Sequence, residues 1–179
     1  MWDIIALATY MPGDDPFRWR FAWIRHHPIA FVGVLANLVF RAFFGLFFFL
    51  ASLNKFQKGW LTTDELYDIY MQRLTELNPD SFAAAYLEGF AIPLYLLIAW
   101  VVTLGELAVG IGLLLGILVR IAALGGFFIL FNLAIGGYYD ASLIPFFILA
   151  IVFIAWPSGR WLGLDQILHR FYPRGWLFH

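Results

Sequence analysis

The stretch 29–53, IAFVGVLANLVFRAFFGLFFFLASL, decides the fold, because it is long, apolar and interrupted by one charged residue only, Arg41. A second stretch, 91–118, has the same character and carries Glu106 as its one charge. A helix that crosses the hydrocarbon core of a bilayer needs about 20 predominantly apolar residues. Each stretch therefore predicts a membrane-spanning helix with a charge near its middle.

The composition as a whole is that of an integral membrane protein. Hydrophobic residues make up 63% of the 179 residues, charged residues make up 13%, and the mean hydropathy is +0.81. Two further apolar stretches, 121–137 and 142–156, predict two more spans, of which the last is short. We therefore expect an all-α fold, an integral membrane four-helix bundle.

Three regions follow from these spans. Residues 1–28 form an amino-terminal tail that is partly interfacial, and residues 29–156 form the four-helix domain, including a loop at 54–89. In residues 157–179 the apolar side chains fall on one helical face and the basic ones on the other. That pattern predicts an amphipathic helix lying on the membrane surface.

Basic residues predict the orientation, because Lys and Arg in short loops are retained on the cytoplasmic side. With four spans, both termini and the connection at residue 120 share one side, and the loop 54–89 lies on the other. The shared side carries Arg18, Arg20, Arg25, Arg120, Arg160, Arg170 and Arg174, whereas the loop side carries Lys55, Lys58 and Arg73. We therefore expect both termini to be cytoplasmic and the loop to be extracytoplasmic.

The loop 54–89 has the pattern of an ordered, helical segment. Thr62 followed by Glu65 is a capping-box pattern, apolar residues then recur at helical spacing, and Asn78-Pro79 ends the run. Ser81 begins a second helical stretch that leads towards the second span. Two interpretations remain open for this loop: a lid on the outer end of the bundle, or a segment that also shapes a substrate mouth.

Several kinds of chemistry are excluded by the residues that are missing. The chain has no cysteine, which rules out thiolate nucleophiles, disulfide relays and Cys-ligated metal centres. All four histidines lie outside the spans, which argues against a haem held in the middle of the membrane. No metal cluster and no nucleotide-binding motif is seen, we expect no nucleic-acid partner, and electron transfer would need an organic cofactor or a partner subunit.

Arg41 and Glu106 are the candidate functional residues, because a charge at a helix centre costs about 2.5 to 3.5 kcal/mol on insertion scales and usually finds a partner in the bundle. Arg41 is fourteen residues after His27, and Glu106 is fourteen residues before Arg120. This count predicts that both charges lie at one depth and meet.

Asn132 is twelve residues after Arg120, which predicts that it lies near the same level. The three residues form either an ion pair with an amide partner that fixes helix packing, or a polar pocket for a quinone head group, a proton or a small anion.

The chain resembles the DoxX/DoxD family of four-helix membrane proteins. The resemblance rests on Arg41, Gly45 and NKF at 54–56, on GELAVGIGLLLGILVR at 105–120, and on WLGLD at 161–165. In that family the DoxD branch is the larger subunit of a thiosulfate:quinone oxidoreductase, which oxidises thiosulfate to tetrathionate outside the cytoplasm and passes the electrons to membrane quinone. The resemblance implies a multi-pass protein of the prokaryotic cytoplasmic (inner) membrane.

The same resemblance implies quinone as the cofactor, although no cofactor is evident from the residues alone. Glu106 and Arg41 would handle the quinone and protons as catalytic groups, and Asn132 would supply hydrogen bonds. Lys55 and Trp60 would lie near the outer mouth of the site. The enzyme assignment stays open, because the chain carries no evident electron carrier.

A competing hypothesis makes the chain a non-catalytic accessory subunit that packs against a larger energy-transducing membrane complex. Its aromatic content, 20% of the residues, suits lateral docking but also suits ordinary contact with the bilayer. Transport of a small solute through the polar layer is a third hypothesis. It is the least supported, because no pair of broken helices stands out.

Overall fold

The computed structural model describes residues 28–155, 158–160 and 162–171, and in these residues the chain is helical with no strand. The helices are α1 (Pro28–Gln57), α2 (Glu65–Glu76), α3 (Phe82–Tyr86), α4 (Tyr95–Leu115), α5 (Val119–Leu133), α6 (Ile144–Ala155) and α7 (Asp165–Phe171). Single π-helical turns follow α3 (Leu87–Ala91) and α5 (Ala134–Tyr138). Short 3₁₀ turns occupy Ala141–Leu143 and Ser158–Arg160.

The predicted all-α membrane fold is confirmed. Three described helices are long and apolar enough to cross a membrane: Phe31–Gln57, Tyr95–Leu115 and Val119–Tyr138. The fourth predicted span is a shorter apolar helix, Ala141–Ala155. Its three 3₁₀ residues and twelve α-helical residues rise about 24 Å, against about 30 Å of hydrocarbon.

The helices pack mainly as neighbours, α1 against α4, α4 against α5, and α5 against α6. Their shared core is built around fully buried aromatic rings: Phe44 contacts Phe48 edge-on at 5.0 Å and Phe153 at 5.9 Å between ring centroids. Leu113 of α4 and Leu130 of α5 complete this core. It therefore joins all four apolar helices.

Small residues set the distance between the helices. A Cβ on Gly110 would lie 2.7 Å from the backbone nitrogen of Phe49, so α1 and α4 touch backbone to backbone there. A Cβ on Gly112 would lie 3.0 Å from Cβ of Ala122, so the contact of α4 with α5 is close as well. Gly110 thus allows the close contact of α4 with α1, and Gly112 allows its close contact with α5.

The end of the bundle that carries residues 58–94 is here called the loop end. It is helical as expected, but its first helix begins at a different residue from the one predicted. Helix α2 starts at Glu65 with Asp64 at its N-cap, and the predicted capping box does not form. The Glu65 N–H donates to Thr63 Oγ1 at 3.4 Å instead of to Thr62, and the hydroxyls of Thr62 and Thr63 donate to the carbonyl of Gly59. The predicted helical start at Ser81 is confirmed, and Ser81 Oγ caps α3 by accepting from the Ala84 N–H at 3.2 Å.

The opposite end, here called the tail end, is closed by the segment that follows α6. The N–H groups of Leu164 and Asp165 donate to the carbonyls of Leu115 and Gly116, at 3.1 and 2.9 Å. This segment is thereby joined to the turn between α4 and α5. The predictions for residues 1–27, for Trp156 and Trp161, and for 172–179 lie outside the described residues, so the predicted amphipathic helix is seen only as α7.

Candidate functional site

Glu106 lies on α4 and forms an ion pair with Lys55 at the end of α1. Both carboxylate oxygens accept from Lys55 Nζ at 2.7 Å. The side chains are 7% and 16% exposed, respectively. A carboxylate with this little exposure requires a partner to offset its lost hydration, and Lys55 supplies it.

The predicted meeting of Arg41 and Glu106 is wrong. Arg41 lies at the tail end, where its guanidinium donates to the backbone carbonyls of Ser158 at 2.5 Å and Leu162 at 3.0 Å. Glu106 is bound to Lys55 towards the loop end. The two charges therefore belong to two separate clusters.

The register between α1 and α4 explains this difference. Close contacts place Gly45 opposite Leu113 and Phe49 opposite Gly110, which puts Arg41 level with the turn after Leu115. Glu106 lies ten residues before Gly116, about 15 Å away along the axis at 1.5 Å per residue. The count from His27 and Arg120 fails because α1 extends past the end of α4, and α4 ends before Arg120.

Asn132 is close to the expected height on α5, but its side chain points to another partner. Its Oδ1 accepts from the Tyr86 hydroxyl at 3.0 Å, and its Nδ2 donates to the Phe128 carbonyl at 2.8 Å. Asn132 thus ties α3 of the loop end to α5. The structure does not bring it together with Arg41 or with the Lys55 and Glu106 pair.

Trp60 lies against the ion pair because of how α1 ends. Gly59 adopts the left-handed conformation, with φ of 73°, and the Trp60 N–H donates back to the Lys55 carbonyl at 3.1 Å. This is the six-to-one hydrogen bond of a Schellman motif, for which glycine is the favoured residue. The turn places Lys55 Nζ 4.9 Å from the centroid of the Trp60 ring, within the range of a cation–π contact.

Two hydroxyl side chains that the sequence analysis missed complete this polar site. Ser52 and Thr103 are fully buried, and Ser52 Oγ donates to the Thr103 carbonyl at 2.9 Å. Each lies three residues before a charged member of the pair, Ser52 before Lys55 and Thr103 before Glu106. This spacing puts each hydroxyl on the same helix face as the neighbouring charge, and it is the sequence pattern from which the two residues could have been predicted.

Two buried polar atoms beside the pair have no hydrogen-bond partner in the described part of the chain: Trp60 Nε1 and Thr103 Oγ1. Buried polar groups in proteins are nearly always paired, so an unpartnered donor beside an ion pair is an unusual feature of this site. We name Lys55, Glu106, Trp60, Thr103 and Ser52 the loop-end site.

The polar cluster at the tail end joins two distant parts of the chain. The Asp165 carboxylate, 3% exposed, accepts from the N–H groups of Leu118 at 2.7 Å and Val119 at 3.1 Å. It thereby caps the first turn of α5 from a distant part of the chain. Burial raises the pKa of Asp165, and these two N–H groups together with the charge of Arg41 lower it in part.

An apolar groove of about 540 Å³ runs between α4 and α5. Its walls include Val101, Gly105, Ile121 and Phe128. It has no charged side chain in its lining, so it offers no group for a polar head.

These helices define a multi-pass helical membrane protein, with an ion pair held between two of its long helices. The family model for DoxX matches residues 36–137, more than half of the chain, and the chain therefore belongs to the DoxX family. The matched region contains α1 from residue 36, the loop end, α4 and α5. No curated protein and no solved structure matches the chain.

Proposed function

We propose that the chain is a DoxD-like membrane subunit that binds the head group of a membrane quinone at the loop-end site, as part of the oxidation of a small sulfur anion such as thiosulfate. The observation that carries the proposal is the buried Lys55 and Glu106 pair beside the unpartnered indole N–H of Trp60.

The residues of the site fit the chemistry of a quinone. A quinone carbonyl accepts hydrogen bonds, and Trp60 Nε1 and the ammonium of Lys55 are donors. Reduction to the quinol consumes two electrons and two protons. Glu106 is a carboxylate that can take up and release a proton next to the head group.

Charge favours a neutral ligand over an anion at this site. The positive charge of Lys55 is opposed at 2.7 Å by the negative charge of Glu106. A dianion such as thiosulfate would find no excess positive charge there. In the proposal the anion is therefore oxidised elsewhere, where two thiosulfates yield tetrathionate and the two electrons that reduce the quinone.

The proposal reassigns two of the residues expected from the sequence. Arg41 and Asn132 take no part in quinone binding, because Arg41 is engaged at the tail end and Asn132 is engaged by Tyr86. The proposal keeps the orientation that the basic residues predict, with the loop end outside the cytoplasmic membrane of a prokaryote.

Binding of decylubiquinone to the purified chain, followed by quenching of tryptophan fluorescence, tests the proposal. Changing Glu106 to Gln or Trp60 to Phe should weaken binding about tenfold, the effect of losing an interaction worth about 1.4 kcal/mol. Glu88→Gln is the matched control, because Glu88 is an exposed carboxylate of the loop end and should leave binding unchanged. Equal affinity in all variants, or no binding to the unchanged chain, would refute the proposal.

The second candidate is a non-catalytic accessory subunit of a larger membrane complex. One observation favours it: Lys55 and Glu106 satisfy each other, as a purely structural pair would. Purification in a mild detergent separates the two candidates. A larger complex recovered in fixed stoichiometry, together with a chain that binds no decylubiquinone, would favour the accessory role.

A further inference from the structure

The connection from α1 to α2, residues 58–64, lies over the loop-end site. The Trp60 ring contacts the ammonium of Lys55, and Lys55 remains only 16% exposed although it lies near the end of α1. A ligand that reaches the pair from the loop end must therefore pass this segment.

Tyr95 of α4 holds segment 58–64 in place through two contacts. The Tyr95 hydroxyl, at the start of α4, donates to Asp64 Oδ1 at 2.5 Å. The Tyr95 ring also contacts Tyr67 of α2 edge-on, with 5.5 Å between ring centroids. This hydrogen bond is exposed to solvent, and such bonds contribute little to stability.

The rest of α2 is held much more firmly. Leu66 is buried to 2% exposure, and the carboxyl end of the helix is fixed by Arg73, which donates to the Gly137 carbonyl and lies 5.2 Å from the Tyr138 ring. Within the segment, residues 58 and 62–64 are exposed. Movement is therefore easiest between Gly59 and Asp64.

We infer that Tyr95 and Asp64 are positioning residues that hold Trp60 over the Lys55 and Glu106 pair, so that their hydrogen bond sets how readily a ligand reaches the site from the loop end. The identity of that ligand as a quinone rests on the proposed function. The closure of the site by segment 58–64 does not rest on the proposed function, because it follows from the contacts of that segment alone.

The absence of cysteine from the chain makes the closure measurable. Ser52 is fully buried one turn below Lys55, and the Ser52→Cys variant reports access to the site through the rate at which its single thiol reacts with N-ethylmaleimide. In that background Tyr95→Phe keeps the ring and removes the hydroxyl. We expect the labelling rate to rise roughly two- to tenfold, the range that corresponds to one hydrogen bond.

Three further variants control this experiment. Asp64→Ala should raise labelling like Tyr95→Phe, whereas Asp64→Asn retains an acceptor oxygen and should keep labelling slow. Tyr86→Phe removes a hydroxyl that binds Asn132 elsewhere at the loop end, and should have no effect. Equal labelling in the parent, Tyr95→Phe and Asp64→Ala chains, including no labelling in any of them, would overturn the inference, as would an equal rise in Tyr86→Phe.

Added decylubiquinone separates this inference from the proposed function. If decylubiquinone slows the labelling of the thiol in the Ser52→Cys, Tyr95→Phe chain, both the closure and the quinone assignment are supported. Faster labelling in Tyr95→Phe without protection by decylubiquinone supports the closure and counts against the quinone assignment. Unchanged labelling in Tyr95→Phe, with protection by decylubiquinone, supports the quinone assignment and overturns the closure.

Discussion

Replacing Lys55 with Ala removes the partner of a carboxylate that is 7% exposed, and its cost can be worked out from the structure. An unpaired carboxylate buried among apolar helices will not stay ionised, so Glu106 takes up a proton when the variant folds. With the ordinary glutamate pKa of 4.5, protonation at pH 7 costs about 3.4 kcal/mol, at 1.36 kcal/mol per pH unit.

The same reasoning fixes how the penalty depends on pH. In the Lys55→Ala chain Glu106 is neutral when folded and ionised when unfolded above pH 4.5, so folding binds a proton and stability falls as the pH rises. The penalty should therefore be largest at pH 7, where protonation limits it to about 3.4 kcal/mol, and should be smaller at pH 5. Below pH 4.5 this part of the penalty disappears.

Equilibrium unfolding in mixed detergent micelles, followed by far-ultraviolet circular dichroism at pH 5 and pH 7, measures both values. The double variant Lys55→Met with Glu106→Gln removes both charges and should cost less at pH 7 than Lys55→Ala alone. Glu76→Gln breaks an exposed ion pair with Arg73 and should cost less than about 1 kcal/mol. A Lys55→Ala penalty below about 1 kcal/mol at pH 7, or equal at the two pH values, would refute the reasoning.

Two further predictions concern the tail end and the helix contacts. Asp165→Asn should destabilise the chain by about 2 kcal/mol, because an amide offers one acceptor oxygen to two buried N–H groups. Burial raises the pKa of Asp165, so the stability that comes from its tighter proton binding in the folded chain is present below pH 3.8 and is lost as the pH rises through the folded pKa. The Asp165→Asn chain does not bind this proton, so its unfolding should lack this dependence on pH. Gly110→Ala should cost about 1 to 3 kcal/mol in thermal unfolding, because the new Cβ would meet the Phe49 backbone, and Gly89→Ala, with nothing within 4 Å, should be close to neutral. Equal effects of the two alanines would contradict the packing argument.

Much of the loop end follows from local signals. The helical start at Ser81 and the stop at Asn78-Pro79 were predicted and are present, since both depend on residues close in sequence. The start of α2 was missed, because the Glu65 N–H donates to Thr63 Oγ1 and not to Thr62, as the predicted capping box requires.

The partners of the buried charges did not follow from the sequence. Glu106 was expected to have a basic partner and has one, but the partner is Lys55. Asp165 received no structural role from its position in WLGLD, although an Asp at the start of a helix is a common cap. In this protein it caps α5 instead of α7, a choice made by a contact across the bundle.

Length and hydropathy determined the number of apolar helices and their approximate limits, because these depend on how far a helix rises per residue. They also determined that each buried charge needs a partner, because a charge in hydrocarbon is costly. Only the tertiary structure decided the register between α1 and α4. Helices that are apolar on all sides have no polar face to fix their rotation or height, so the close contacts of Gly45 and Gly110 set both. Those two contacts separated Arg41 from Glu106 and brought Lys55 to the carboxylate.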